Sequence, residues 1–325
     1  MFNKLLYGLI FLIFLSKPFK KESILLIPEG FPDPEIPVDN ELTLERIEYG
    51  KKLFFEKLLS RDSSISCASC HQPQLAFTDG RKTAVGIKNR VVSRNTPTLT
   101  NIVYNKTLLR DGVNPSLEAQ VIVPIHEKNE FDFQILLVAE RLKKIDAYVQ
   151  LSKKAYAEIP NPDNISKALA SYERTLISGN SRFDEFYYSG DSLALTDNEK
   201  RGMDLFYNQL YCTECHSGFN FSNGEIVNNG LYKEYQDIGK MRLTLNEKDN
   251  GLFKVSTLRN ISVTGPYMHD GSIATLEEVI DHYAKGGEGH DNQHPSIVSF
   301  EINEEEKEDL ISFLFCLTDS SFIAQ

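Results

Sequence analysis

Two pentapeptides of this chain, "CASCH" ending at His71 and "CTECH" ending at His216, each set two thiols three residues apart with a histidine directly after the second. Thiols at that spacing share one side of a helical turn, and the histidine presents its ring to whatever they hold. C-x-x-C-H is the pattern of covalent haem attachment. Cys67 and Cys70, and again Cys212 and Cys215, would each form two thioethers to a porphyrin, with His71 and His216 as the proximal nitrogens of two irons. The competing reading is a zinc site made from the four thiolates. It does not explain a histidine directly after both pairs. The fifth cysteine, Cys316 in "DLISFLFCLTD", reads as a small buried hydrophobe.

The far side of each iron decides between electron transfer and chemistry. His126, His269, His282, His290, His294, Met203, Met241 and Met268 are all candidates for that sixth position. Spacing does not choose among them, because a lone histidine or methionine is more often core or surface than ligand. The stretch "TLEEVIDHYAKGG", residues 275–287, raises one more. It opens on a capping box from Thr275 to Glu278 and stops at Gly286-Gly287, which predicts a helix between them. Leu276, Val279, Ile280 and Tyr283 share one face, and His282 lines up with Thr275 and Glu278 on a polar one. Tyr283 is thus expected to point inward and His282 outward. A core tyrosine whose hydroxyl finds a carbonyl is the plainer alternative.

The elements that position these groups come in duplicate. "RIEYGKKLFF" precedes the first motif and "EKRGMDLFYN" the second, both with G-x-x-L-F at Gly50 and Gly202. "CHQPQLAFTDG" and "CHSGFNFSNG" follow, and each copy ends in an amphipathic helix, "ALASYERTLIS" or "DLISFLFCLTD". Matches in the same order predict a repeated unit in which a glycine lets the closing helix approach the opening one. The pattern is similar to the cytochrome c fold. An all-α chain of two tandem haem units is expected, the N-terminal one over residues 22–190 and the C-terminal one over 191–325. The boundary lies in the turn-rich "YYSGDSLALTDNEK", and short hairpins are allowed within 80–105 and 225–260.

Residues 1–21 carry Lys4 and then an apolar run from Leu5 to Leu15, short for a bilayer span and well matched to a signal peptide or N-terminal anchor. Export to the periplasm follows as an expectation. Hydrophobic residues at 41% and charged residues at 25% are those of a soluble globular protein. The formal net charge is −11, and without the leader's four lysines it becomes about −15, which argues against a nucleic-acid partner and suits a basic protein.

"SCASCHQPQLAFTDG", "SRNTPTLTN", "RDGVNPSLEAQVIVPIHEKNE" and "LRNISVTGPYMHDGSIATLEEVIDHYAKGG" together resemble the bacterial diheme cytochrome c peroxidase family, including its MauG-like branch, from about Thr43 to Asp319. The resemblance implies that hydrogen peroxide is reduced at the first haem, while the second haem stores or passes electrons from a small donor, a cytochrome c or a cupredoxin. It assigns acid–base work to Glu130 and a supporting role to Gln120, ten residues earlier. A carboxyl group over the iron can take a proton from the incoming peroxide and return it to the departing oxygen. The resemblance also implies a calcium ion between the haems, held by Asn95, Thr264 and Pro266. Tyr283, fourteen residues after His269, falls where peroxidases carry a methionine ligand to the second iron and MauG-like members a tyrosine. An anionic phenolate would stabilise ferric iron, whereas methionine raises the potential.

Two departures stand out. No histidine occurs between Gln72 and Ile125, so no distal ligand closes the first iron. The chain has no tryptophan, and Arg110 occupies the place where the family sets an electron-relaying one. Two alternatives follow. One is a MauG-like oxidase acting on a protein substrate, favoured by Tyr283 and weakened by Arg110; the other is a diheme electron carrier without peroxide chemistry. Relatives of this kind are often homodimers.

Overall fold

A computed structural model describes residues 24–324; the predicted leader, residues 1–21, lies outside them. Among the described residues no helix is long and apolar enough to cross a membrane. Helices dominate. One antiparallel pair, β1 (Ile226–Val227) with β2 (Phe253–Lys254), and isolated bridges such as Val85 with Val91 are what the two hairpin regions form.

Helix α1 (Leu44–Phe54) starts where the Thr43 hydroxyl accepts from Arg46 N, and it buries Tyr49, Gly50, Leu53 and Phe54. Helices α2 (Ile135–Leu142) and α3 (Asp146–Tyr156) lead to α4 (Pro162–Glu173), which is capped by Asn161 and crosses α1. A methyl group on Gly50 would stand 1.9 Å from the Ala168 carbonyl oxygen of α4, so the crossing needs a residue without Cβ. The second half repeats the device. Helix α5 (Asp197–Asp204) precedes α6 (Leu276–Ala284) and α7 (Glu304–Phe315), and a methyl group on Gly202 of α5 would stand 1.9 Å from the Asp309 carbonyl oxygen of α7.

Gly202→Ala therefore forces α7 away from α5. Overpacking of this kind costs about 1–3 kcal/mol. Thermal denaturation should report a melting temperature lower by several degrees. An unchanged one would mean that the helices do not meet at this residue.

The apolar side chains gather in two large cores and a small third cluster of Leu231, Tyr235 and Phe253. Leu53, Phe54, Phe77, Val138, Leu142 and Leu169 belong to the first, and Phe183, Phe206, Phe221, Leu310, Phe313 and Leu317 to the second. Phe322 runs back into the first core from the far end of the chain. Between the cores lies a buried polar seam. Asn101 Nδ2 donates to Ser178 O at 3.0 Å, Ser178 N donates to Asn101 Oδ1 at 2.8 Å, and Asn260 Nδ2 reaches Ser178 Oγ at 3.0 Å. Asp319 N donates to Asn260 Oδ1 at 2.8 Å, and the Asp319 carboxylate accepts from Gly179 N at 3.1 Å. Every member is satisfied, which holds the two halves in one arrangement.

The repeat reaches further than the segments flanking CxxCH. Asn101 and Asn260, in "TLTNIVY" and "TLRNISV", both adopt left-handed backbone, with φ of 57° and 60°. Leu109 and Met268 do so at 65° and 75°, each just before the "RDG" or "HDG" turn. The same interval separates Asn95 from Arg110 and Lys254 from His269. Reciprocal bonds join these places across the halves, from Asn95 N to His269 O at 2.9 Å and from Lys254 N to Arg110 O at 2.7 Å.

Candidate active site

The first motif forms a helical turn, Cys67–Cys70, closed on its N-terminal side by Ser66 N donating to Ser69 Oγ at 3.0 Å. His71 Nδ1 lies 2.9 Å from Phe77 O, and His216 Nδ1 lies 3.1 Å from Phe221 O. A ring nitrogen facing a carbonyl carries the proton, which leaves each Nε2 as a lone pair for a metal. Phe77 and Phe221 both have positive φ, 61° and 49°, the same local turn bringing each carbonyl to its histidine. Burial pushes both imidazoles down, so they stay neutral and able to ligate.

The four motif cysteines are free. Burial pushes Cys70 and Cys212 up to about 12, and Cys67 and Cys215 upward as well. They are therefore thiols, the form that adds to a vinyl group. Among the described residues no group of three or more His, Cys, Asp or Glu converges on a point that would hold a metal ion, so the zinc alternative lacks a cage. Thiols, oriented imidazoles and separate cores fit two covalently held haems.

Beside Cys70 a cavity of about 400 Å³ is lined by Ser69, Asp79, Arg81 and Gly86 among others. Gly86 backs onto the turn that carries Glu130: a methyl group there would stand 1.9 Å from Asn129 O and 2.7 Å from Glu130 Cα. Ile87 N donates to Glu130 O at 3.0 Å. The Glu130 carboxyl group accepts no hydrogen bond from the described residues. Burial, followed by the neighbouring Glu127 charge, pushes it up to about 7. It lies close enough to Cys67 and Cys70 to add to the rise of both thiols, which places it by the first motif.

Gln120 ends the short helix Leu117–Gln120, and Asn114 Nδ2 donates to its Oε1 at 3.0 Å, fixing the amide. No hydrogen bond among the described residues joins Gln120 to Glu130. His126 is exposed, and its Nε2 accepts from Ile135 N at 3.2 Å at the start of α2, a structural role. A second acid near the first motif escaped the sequence reading. Glu173 of α4 is buried, its carboxyl group accepts no hydrogen bond from the described residues, and burial pushes it up to about 8; its charge adds to the rise of Cys67. Its spacing from Leu169 on the inner face of α4 was the available signal.

In α6 the capping box forms as expected, with Thr275 Oγ1 accepting from Glu278 N at 3.2 Å. The expected outward placement of His282 is wrong. That residue is buried, and its Nε2 pairs with Asn229 O at 3.1 Å, because the segment after β1 covers this end of the polar face, while Thr275 and Glu278 stay exposed. Asn229 Nδ2 in turn reaches Tyr283 Oη at 3.4 Å and Met268 Sδ at 3.3 Å. Burial pushes the Tyr283 phenol up, Asn229 opposes this, and Cys215 and Cys212 lie close enough to add to the rise. Tyr283 thus faces the second motif, and His282 steadies its partner.

Two of the residues expected to hold calcium have their side chains engaged within the protein. The Thr264 hydroxyl donates to Ile261 O at 3.3 Å, and Asn95 is engaged by Arg110: Nη2 donates to Asn95 Oδ1 at 2.5 Å and Nε to Asn95 O at 3.4 Å. Arg110 Nη1 also reaches Ser256 Oγ at 3.3 Å. Loss of solvation, with Arg94 nearby, pushes Arg110 down to about 10; burial, with Arg110 nearby, pushes Lys254 down to about 8.

Residues 44–192 match the family model of the di-haem cytochrome c peroxidase. The methylamine utilization protein MauG of Methylorubrum extorquens is 38% identical over 291 residues, covering 88% of this chain and 81% of that protein. The cytochrome c551 peroxidase of Nitrosomonas europaea is 33% identical over 276 residues, covering 83% and 79%. The crystal structure of a MauG-like protein associated with microbial copper homeostasis superposes with a TM-score of 0.87 at 31% identity, covering 92% of this chain and 96% of that one.

Proposed function

The chain belongs to the di-haem cytochrome c peroxidase family, and from that premise we propose how its own residues divide the work. It is an oxidoreductase of the peroxidase type. Cys67, Cys70 and His71 hold one haem c, and Cys212, Cys215 and His216 the other, in tandem cytochrome c-like units. The repeated helix crossings at Gly50 and Gly202 support two units, while Phe183 and its short helix, N-terminal to residue 190, pack in the second core and move the junction to just before them. When bound, the haems supply the electron transfer that no side chain of this chain provides.

The protein's own contribution is proton management and access. Glu130 accepts a proton from hydrogen peroxide and returns it to the departing oxygen, so that peroxide, two electrons and two protons give two waters. Gln120, held by Asn114, orients the substrate. Tyr283 would be a further protein ligand to the haem held by Cys212, Cys215 and His216. An N-terminal segment read as a leader supports a periplasmic location, and the acidic chain suits a basic cytochrome c or cupredoxin as donor. A single observation carries this reading: an unpartnered, desolvated carboxyl group, poised near neutrality, beside the first motif.

The relatedness to MauG and the tyrosine facing the second motif favour a second reading, oxidation of a protein substrate. Mixing the haem-loaded protein with peroxide and reduced cytochrome c or cupredoxin separates the two. Sustained donor oxidation is the expected result. Peroxide consumption without donor oxidation would favour the oxidase, and an absence of any peroxide reaction would remove both.

A further inference from the structure

We propose that Arg110, assisted by Lys254, takes the place of the interhaem calcium ion, so that two fixed protein cations do the work of one exchangeable dication. The proposal rests on the diheme reading above. Calcium takes six to eight oxygen ligands, commonly with carboxylates among them. Of the ligands the resemblance assigns, Asn95 alone would offer a side-chain carbonyl, and both of its oxygens already receive the Arg110 guanidinium, at 2.5 and 3.4 Å. A calcium ion on Asn95 Oδ1 would share that oxygen with a positive charge.

The acids of the neighbourhood already carry cations or hydrogen bonds, Asp111 through Oδ2 alone, its Oδ1 being buried without a hydrogen-bond partner among the described residues. Asp111 is paired with Arg94 at 2.8 Å and with Arg242 at 2.5 Å, and Asp237 is paired with Arg94 at 2.6 Å. The Asp270 carboxylate accepts from Tyr232 Oη at 2.7 Å and Ser272 N at 3.0 Å. Arg110 and Lys254, by contrast, hydrogen-bond to neutral acceptors alone: Asn95, Ser256 and, at 3.2 Å from Lys254 Nζ, Thr107 O. Two neighbouring cations with no carboxylate hydrogen-bonded to either, and Asp270 acting on Arg110 only through space, would suit an anion, and haem propionates would supply that chemistry when bound.

Position supports the same conclusion. Arg110 spans from Asn95 to Ser256, on the two segments whose Pro97 and Ser256 backbones approach His71 and His216. The bond from Lys254 N to Arg110 O at 2.7 Å joins the two residues through their backbones. An arginine here cannot relay an electron as tryptophan would. With Lys254 it would offer haem carboxylates a fixed positive charge that no chelator removes.

The test uses the full haem-loaded chain. Calcium is measured by mass spectrometry against haem content after passage over a chelating resin, and melting is followed with added calcium chloride or chelator. The expected result is calcium far below one ion per chain and an unmoved melting temperature. About one retained ion per chain, or a rise of a few degrees with calcium, would overturn the proposal. Arg110→Trp and Arg110→Gln free Asn95 Oδ1, and whichever variant keeps both haems should gain a calcium-dependent rise in melting temperature. If a haem-loaded variant stays as indifferent to calcium as the parent, Arg110 is not what excludes the ion and the proposal fails. None of these readouts involves peroxide, so they stand apart from the peroxidase reading, which donor oxidation tests separately.

Discussion

Glu130→Gln is expected to slow the reaction with hydrogen peroxide by roughly 10²–10⁴-fold while leaving haem content unchanged. The amide keeps the shape of the side chain and its turn against Gly86, and removes only the ability to accept and return a proton. The pH dependence has a defined sign. Burial raises the Glu130 carboxyl group to about 7, so its basic form grows as pH rises through that value. Stopped-flow rates of the parent should therefore climb between about pH 6 and pH 8 and then level, and this step should be missing from the variant. Stability runs the other way. A carboxyl group raised on folding contributes least above its folded value, because folding then carries a desolvated charge; the stability it permits is full at low pH and lost as pH rises through about 7. At pH 8 the neutral amide should melt no lower than the parent. A variant with the parent's peroxide rate and pH profile would take Glu130 out of the proton path and leave Glu173, the second raised acid near Cys67, as the group to examine.

The second large effect is expected at Tyr283. Tyr283→Met should raise the midpoint potential of the His216 haem on the order of a hundred millivolts, and Tyr283→Phe should alter its ferric absorption and EPR signals. Burial holds the unliganded phenol above its ordinary value, so binding to iron must displace a proton, and acidification should favour the protonated, dissociated phenol. Asn229 is the neighbour that eases ionisation, and His282 holds Asn229 through its backbone carbonyl. Spectra of Tyr283→Phe identical to those of the parent would make the tyrosine a core residue and place the ligand elsewhere.

Much of this was legible before any coordinates. The thiol spacing, the histidine after each pair, the capping box at Thr275 and the glycines of the opening helices are local features whose chemistry depends on neighbours a turn or two away. Gly50 and Gly202 could be paired with their closing helices because the same order of signals recurs, and the carbonyl oxygens of Ala168 and Asp309 stand where a methyl group would. The placement of Glu130 and Gln120 came by resemblance, since one carboxylate in "HEKNEFD" has no local signal of its own.

What local pattern missed depends on segments far apart in the chain. Helix periodicity separates an apolar face from a polar one and does not report what later covers the polar face; His282 was therefore set outward, although Asn229, from a segment fifty-three positions away, buries it. The αL pair Asn101 and Asn260, the seam they build with Ser178 and Asp319, and the meeting of Arg110 with Asn95 and Ser256 likewise exist only once both halves have packed. The sequence by itself determined which atoms could bind haem and which helices must cross, because those are matters of residue type and short spacing. Tertiary structure alone decided which charges face one another between the halves, because electrostatic partners are chosen by distance in space and by the loss of water around them.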